Sequence, residues 1–230
     1  MPASELLRKP APTTGPRFSI SVALGPMRGQ RYRLAPTGGL VGRTHGAVLF
    51  PEDRTVSAHH ATFLVKNGRL VIRDEGALSG VFVNIASQES LPNQGFFAAG
   101  QRLFRYLGVQ PAGTAPAPGV PLVYGAPVAT RGALMGLEEV LVGGRPGRSV
   151  LSVGPILAVG QTQCDLSYPG EEGMAPRHCE VIPTPAGATL KDLSSGLGTF
   201  IRIATGVERP LDPGDRVRIG AQVLVVEAAL

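Results

Sequence analysis

The chain has 230 residues, enough for one large domain or for two domains of about 100 residues each. Its 31 glycines and 21 prolines, with 5% aromatic residues and no tryptophan, favour many turns and disfavour a bundle of long helices. A hydrophobic content of 43% excludes a mostly disordered chain. The net charge of +5 is uneven, because residues 17–110 carry +6 and residues 131–230 carry −2. An excess of positive charge in one half indicates an anionic partner.

Two segments have the composition of a tail and a linker. Residues 1–16 contain no apolar core of signal-peptide length, so we expect a flexible tail and a cytoplasmic protein. Residues 111–130 are uncharged and rich in Ala, Pro and Gly, which predicts an extended linker and no membrane span. The two cysteines, Cys164 and Cys179, are too few for a disulfide-dependent secreted protein of this size, so we expect buried thiols.

The predicted elements are short strands. Alternating or β-branched runs bounded by turn residues predict strands at 18–24, 61–65, 69–74 and 217–227. Leucines in the segment 134–141 fit a helical stripe, but the segment is short and flanked by glycines, and it occupies the place of 18–24 in the repeat described below. We therefore predict a strand there as well. Many short strands without crossover helices predict an antiparallel β-sandwich.

The chain contains two copies of one pattern. An offset of 118 superposes residues 41–85 on 159–203 without a gap, and an insertion of two residues then restores the match at Leu91/Leu211 and Gly100/Gly220. The nine identical pairs are Val41/Val159, Gly42/Gly160, Thr44/Thr162, Pro51/Pro169, His60/His178, Asp74/Asp192, Gly80/Gly198, Phe82/Phe200 and Ile85/Ile203. The duplication predicts a tail at 1–16, a first domain at 17–110 (the first copy), a linker at 111–130 and a second domain at 131–230 (the second copy).

Polar residues of the first copy cluster where predicted strands begin and end. Arg43 follows an apolar run, Ser57 and His60 form Ser-x-x-His before the strand at 61–65, and Ser79 precedes another strand. A bound phosphate needs a planar guanidinium, hydroxyl donors and free backbone N–H groups. Arg43, Ser57 and the turn at Ser79–Gly80 can supply these groups.

These residues, in this order and at this spacing, resemble a forkhead-associated (FHA) domain, and the resemblance covers both copies. It implies an all-β protein of two tandem antiparallel β-sandwiches. It also implies a non-enzymatic module that binds phosphothreonine peptides through loops at one end. The resemblance assigns Arg43 to the phosphate and Ser57 to a hydrogen bond with it.

The remaining residues of the motif are expected to shape the loops. Gly42, His60, Gly80 and Asn84 match positions that hold the loop architecture. Ser79 stands where the family usually has an asparagine that grips the peptide backbone, so we count it as a phosphopeptide contact that departs from the pattern. The second copy departs further, because Gln161, Ala175 and Leu197 replace the arginine, the serine and the asparagine. We therefore expect a degenerate second domain with a structural or protein-binding role.

The sequence predicts an adaptor in Ser/Thr kinase signalling whose partner is a phosphothreonine-containing protein, either a kinase or its substrate. We expect no catalytic residue, metal, cofactor or membrane partner. His178 and Cys179 suggest a nucleophile, but adjacent residues of a strand point to opposite faces. The alternative is a structural or assembly protein with two phosphate-independent FHA-like domains. A nucleic-acid binder is disfavoured, because the basic residues are scattered and lack an aromatic stacking series.

Overall fold

The computed structural model describes residues 18–110, 118–119 and 134–227. The predicted tail and most of the predicted linker lie outside these residues. The described part is built almost entirely from β-strands, which confirms the predicted fold class. No helix in it is long and apolar enough to cross a membrane.

Each copy contributes ten strands to this described part. Those of the first copy are β1 (Ser19–Leu24), β2 (Arg31–Arg33), β3 (Gly38–Gly42), β4 (Val48–Leu49), β5 (Ala61–Lys66), β6 (Arg69–Asp74), β7 (Val81–Asn84), β8 (Gln88–Pro92), β9 (Phe96–Ala99) and β10 (Arg102–Gln110). Those of the second are β11 (Leu134–Val140), β12 (Pro146–Ser152), β13 (Leu157–Gly160), β14 (Leu166–Ser167), β15 (Cys179–Thr184), β16 (Gly187–Asp192), β17 (Thr199–Arg202), β18 (Glu208–Leu211), β19 (Arg216–Ile219) and β20 (Gln222–Glu227).

Most of the predicted strands are confirmed, including the ambiguous segment that forms β11. The prediction at 217–227 is wrong in one respect, because that run is a hairpin of β19 and β20. Gly220 turns the chain there with φ at +56°. A two-residue turn accommodates such a φ easily only at glycine.

The strands form two compact units, and each unit combines parts of both copies. The first unit comprises residues 1–80 and 205–230, and the second comprises residues 81–204. In the first unit, β19-β20-β1-β2 are consecutive neighbours in one sheet, and β18-β6-β5-β3-β4 form another. In the second unit, the corresponding orders are β12-β11-β10-β9-β17-β7 and β14-β13-β15-β16-β8. The division at 17–110 and 131–230 follows the sequence repeat. In the compact units, β18–β20 of the second copy join the first unit, and β7–β10 of the first copy join the second unit. We call this arrangement the exchange.

The exchanged strands carry core residues of the unit that they join. Phe97, Phe104 and Tyr106 of the first copy are fully buried in the core of the second unit, where they cluster with residues such as Leu137 and Leu157 of the second copy. The Phe97 and Phe104 rings stack with centroids 5.2 Å apart. Full burial of one such side chain stabilises a fold by about 1.5–3 kcal/mol. The exchange is therefore part of the hydrophobic core and not a surface contact.

Candidate functional site

The first candidate loop begins where β3 ends at Gly42. A Cβ atom on Gly42 would lie 2.0 Å from the carbonyl oxygen of Ala58 and 2.7 Å from that of His45. Only glycine lets the chain pass this closely between two carbonyl groups. The next residue, Arg43, donates its backbone N–H to the carbonyl oxygen of Ser57 at 2.9 Å. Gly42 therefore brings the loops that carry Arg43 and Ser57 into contact.

His60 braces these loops from inside the fold. Its side chain is fully buried, and its Nδ1 accepts the backbone N–H of Ser57 at 3.0 Å. Because Nδ1 acts as an acceptor, the ring proton lies on Nε2, which donates to the carbonyl oxygen of Gly80 at 3.1 Å. One neutral imidazole thus ties the loop of Ser57 to the turn at Gly80.

The functional groups of Arg43 and Ser57 remain available for a ligand. Both residues are half-buried. Within the described part of the chain, no acidic side chain lies within ion-pair distance of the Arg43 guanidinium, and the Ser57 hydroxyl makes no hydrogen bond. A guanidinium with uncommitted N–H groups beside a free hydroxyl matches the donor set that a phosphate requires.

Ser79 is engaged within the protein. Its hydroxyl donates to the carbonyl oxygen of Thr55 at 2.7 Å, which ties a third loop to the segment before Ser57. The same loop is stabilised at its start by Asp74, whose Oδ1 accepts the backbone N–H groups of Gly76 and Ala77 at 2.9 and 2.8 Å. In this geometry Ser79 is a brace between loops.

The first unit thus brings together six of the predicted residues, whereas Asn84 belongs to the second unit. The six are Gly42, Arg43, Ser57, His60, Ser79 and Gly80. Asn84 belongs to β7 in the second unit, where it stands opposite Phe200 of β17. Its predicted role in holding a loop of the first domain stays a prediction.

The second unit repeats the frame of these loops with the same geometry. The backbone N–H of Gln161 donates to the carbonyl oxygen of Ala175 at 3.0 Å, and Ala175 donates to His178 Nδ1 at 3.0 Å. His178 Nε2 in turn donates to the carbonyl oxygen of Gly198 at 3.1 Å. Burial holds the pKa of His178 below its ordinary value, although the bond to Gly198 acts in the other direction.

At the positions equivalent to Arg43 and Ser57, the second unit has neither a guanidinium nor a hydroxyl group. Gln161 replaces the arginine, and its Nε2 donates to the backbone carbonyl of Glu171 at 2.9 Å. Ala175 has no hydroxyl in place of Ser57. The second unit therefore keeps the hydrogen bonds that hold its loops but has no residue equivalent in chemistry to Arg43 or Ser57 at these two positions, as expected for a degenerate copy.

Sequence reasoning missed the residue that anchors the loop of Ser57. Asp53 Oδ1 accepts the backbone N–H and the hydroxyl of Thr55 at 3.0 and 2.5 Å. Its Oδ2 accepts the backbone N–H of Ala221 at 2.9 Å and the Nε2 of Gln222 at 3.3 Å. Burial acts to raise the pKa of Asp53, but these hydrogen bonds outweigh it and hold that pKa below its ordinary value. No local motif signals the contact of Asp53 with Ala221 and Gln222, because these two donors come from the other copy.

Two histidines lie on the same two loops. His45 Nδ1 lies 2.9 Å from the hydroxyl of Thr44, and the His45 and His59 rings meet edge to face with centroids 5.5 Å apart. Both side chains are exposed. The loop pair therefore presents imidazole rings as well as Arg43 and Ser57.

The exchange of strands concentrates the net charge in the unit that holds Arg43. Counted over the sequence, the first unit has 14 basic and 9 acidic residues, whereas the second has 8 of each. The net charge of +5 thus resides in the first unit. A positive unit attracts anionic ligands at long range.

Comparisons with known proteins identify the family of the chain. The FHA domain profile matches residues 39–94 and 146–220, more than half of the chain. An oxoglutarate dehydrogenase inhibitor of Corynebacterium glutamicum is 36% identical over 65 residues, which cover 28% of this chain and 46% of that protein. The glycogen accumulation regulator GarA of Mycolicibacterium smegmatis is also 36% identical over 65 residues, 41% of its length. The chain therefore spans less than half the length of these curated relatives.

Among solved structures, the FHA domain of an Arabidopsis thaliana hypothetical protein aligns with 96% of this chain and 93% of that one, with 11% identity and a TM-score of 0.39. The two profile matches show that the chain belongs to the FHA family, with one match in each copy. At this level, family membership indicates a binding or regulatory protein.

Proposed function

We propose that the chain is a non-enzymatic adaptor in Ser/Thr kinase signalling and that its first unit binds a phosphothreonine segment of a kinase or of a kinase substrate. The observation that carries the proposal is the pair formed by Arg43 and Ser57. Their guanidinium and hydroxyl groups are uncommitted, while their backbones are fixed by Gly42 and His60. A site with fixed backbones and free donors loses little conformational entropy on binding.

The chemistry of a phosphate fits this pair. A phosphothreonine carries a charge of about −1.5 to −2 at pH 7 and three strong acceptor oxygens. The Arg43 guanidinium can donate two parallel hydrogen bonds to it, and the Ser57 hydroxyl can donate a third. Peptide readers of this kind use Arg and hydroxyl contacts to the phosphate. The second unit lacks both groups, so we assign it a structural or protein-binding role.

A titration of the full chain tests this proposal. The full chain is required because each unit contains strands of both copies. Fluorescence anisotropy compares a degenerate phosphothreonine peptide pool with the same pool lacking the phosphate. We expect phosphate-dependent binding that Arg43→Ala abolishes, since truncating one partner of a hydrogen-bonded charge pair at an interface commonly costs about 2–5 kcal/mol. Gln161→Ala is the matched control and is expected to leave the affinity unchanged.

Two results would contradict the proposal. One is equal binding of the phosphorylated and unphosphorylated pools. The other is an equal loss of affinity in Arg43→Ala and Gln161→Ala, which would remove the asymmetry between the units.

A second candidate function is a phosphate-independent assembly module. The observation that favours it is the hydrogen bond of Ser79 to Thr55, because the usual asparagine is missing and its replacement is engaged inside the protein. In this case a partner protein would bind the Arg43→Ala variant as tightly as the parent chain. Competition by the phosphothreonine pool would have no effect on that binding.

A further inference from the structure

The hairpin of β19 and β20 belongs by sequence to the second copy but closes the first unit. β20 pairs with β1, with Ser21 opposite Val225. In the second unit, β10 pairs with β11, with Arg105 opposite Glu138. The repeat aligns Arg105 with Val225 and therefore Ser21 with Glu138. The two strand pairs are thus equivalent, and in each of them one strand comes from the first copy and the other from the second.

Charge distinguishes the exchanged pairing from a contiguous one. Glu138 and Glu139 of β11 are buried, with 9% and 4% exposure. Each is paired with an arginine of β10, Glu138 with Arg105 and Glu139 with Arg102. If each copy closed on its own strands, Glu138 would face Val225 and Arg105 would face Ser21. Burying a carboxylate without a partner is costly, so these ion pairs favour the exchanged arrangement.

Surface charges in the first unit favour the same arrangement. Lys66 and Arg69 of the first copy pair with Glu208 and Asp212 of the second at 2.6 and 2.9 Å. By the repeat alignment, the contiguous partners of these two basic residues would be Gln88 and Pro92, neither of which is charged. The exchange thus gains ion pairs in both units.

The exchanged hairpin also supports the loop that carries Ser57. The turn at Gly220 approaches that loop so closely that a Cβ atom there would lie 2.6 Å from the Thr55 hydroxyl and 2.8 Å from Asp53 Oδ2. Asp53 accepts hydrogen bonds from both Ala221 and Gln222, as described above. Gln222 is 1% exposed, and its Oε1 accepts the backbone N–H of Met27 at 3.2 Å. The loop is therefore anchored by a turn in which Ala221 lies 168 positions after Asp53.

We propose that the second copy is a working part of the phosphothreonine reader, because its hairpin holds the loop of Ser57 through Asp53. Gln222 is then a positioning residue for the site. This inference rests on the proposed function of the first unit. It implies that the degenerate copy completes a binding site that lies on the other copy.

The first test measures how Gln222 variants of the full chain bind the phosphothreonine peptide pool. Gln222→Met removes the donor to Asp53 while keeping an apolar side chain of similar volume. We expect its dissociation constant to rise about tenfold, as for the loss of one hydrogen bond to a charged group. Gln222→Arg restores a donor. It imitates the second unit, where the equivalent residue, Arg102, donates to the equivalent acid, Glu171, at 2.9 Å. We expect Gln222→Arg to bind within about threefold of the parent chain.

A control variant on the same hairpin separates positioning from folding. Asp215 Oδ2 accepts the backbone N–H of Asp212 at 2.8 Å, in the turn before β19. Asp215→Ala is expected to lower the midpoint of denaturation and leave the dissociation constant unchanged. Equal weakening in Gln222→Met and Gln222→Arg, or no weakening in Gln222→Met, would overturn the positioning role. Arg43→Ala is measured alongside, and a parent chain that binds no more tightly than Arg43→Ala overturns the proposed function itself.

The exchange is tested independently of any ligand by disulfide mapping. Residues opposite one another in an antiparallel pair have Cα atoms about 4.5–5.5 Å apart, within the range that a disulfide spans. In a chain with Cys164→Ser and Cys179→Ala, we expect Ser21→Cys and Val225→Cys to cross-link within one chain. Ser21→Cys and Arg105→Cys, the pair of a contiguous closure, should not. Cross-linking of the second pair alone would overturn the exchange and with it the role of the second copy.

Discussion

Replacing Arg105 with methionine tests whether buried charge determines which strands close the second unit. The side chain of Glu138 is 11% exposed and that of its partner Arg105 is 35% exposed. Removing one partner of a fully buried pair costs about 3–5 kcal/mol, because the other charge remains without compensation. Water reaches the Arg105 side of this pair, so we expect a smaller loss of about 2 kcal/mol in the free energy of unfolding. Urea denaturation followed by circular dichroism measures it.

The matched comparison is Lys66→Met, which breaks an exposed pair. The side chains of Lys66 and Glu208 are 52% and 33% exposed, so we expect a loss of about 0.5 kcal/mol. The double variant Arg105→Met, Glu138→Leu should recover part of the loss of Arg105→Met, because it removes the uncompensated carboxylate. If Arg105→Met costs no more than Lys66→Met, the ion pair does not select the strand pairing and the charge rationale for the exchange fails.

Three further predictions concern the loops and the core. Gly42→Ala is expected to weaken phosphopeptide binding more than tenfold and to destabilise the chain by about 1–3 kcal/mol. The reason is that the new Cβ would lie 2.0 Å from the carbonyl oxygen of Ala58. An affinity equal to that of the parent chain, measured by fluorescence anisotropy, would contradict this prediction. Burial holds the pKa of His178 below its unfolded value of about 6.5. The contribution of His178 to stability is therefore present above that pH and is lost as the pH falls through the folded pKa. The free energy of unfolding, measured by denaturation at pH 7.5 and at pH 5.5, should differ less between the two pH values in His178→Gln than in the parent chain. Burial raises the pKa of the Cys179 thiol, so iodoacetamide should leave it unmodified in the native chain and label it only in denaturant, as read by mass spectrometry.

The sequence is enough to predict most of the contacts that hold the loops together, but not the contact of Asp53 with Gln222. The duplication of Gly42, His60 and Gly80 in the second copy is enough to predict a braced set of loops, because each of these residues contacts another part of its own copy, as His60 contacts Gly80 at a separation of 20 positions. The contact of Asp53 with Gln222 could not be predicted in the same way. The contact joins residues 169 positions apart. The hairpins β9–β10 and β19–β20 have the same apolar pattern, so this pattern does not indicate which of them packs beside Asp53.

The exchange itself had a signal in the sequence that the repeat obscured. Aligning the two copies emphasises what they share, and shared core positions do not distinguish self-closure from exchange. The differences carry that information: β10 contains Arg102 and Arg105, whereas the equivalent strand β20 contains no arginine. The acids Glu138 and Glu139 occur only in β11. The turn between β19 and β20 is missed for a related reason, because its two residues lie inside a run, 217–227, whose pattern is that of one strand.

Isothermal titration calorimetry of the full chain measures how many phosphopeptides bind to each molecule. The peptide is the phosphothreonine sequence selected from the degenerate pool. We expect one site per chain, with binding lost in Arg43→Ala and retained in Gln161→Ala. Two equivalent sites, or binding that survives Arg43→Ala, would contradict the assignment of the reader to the first unit.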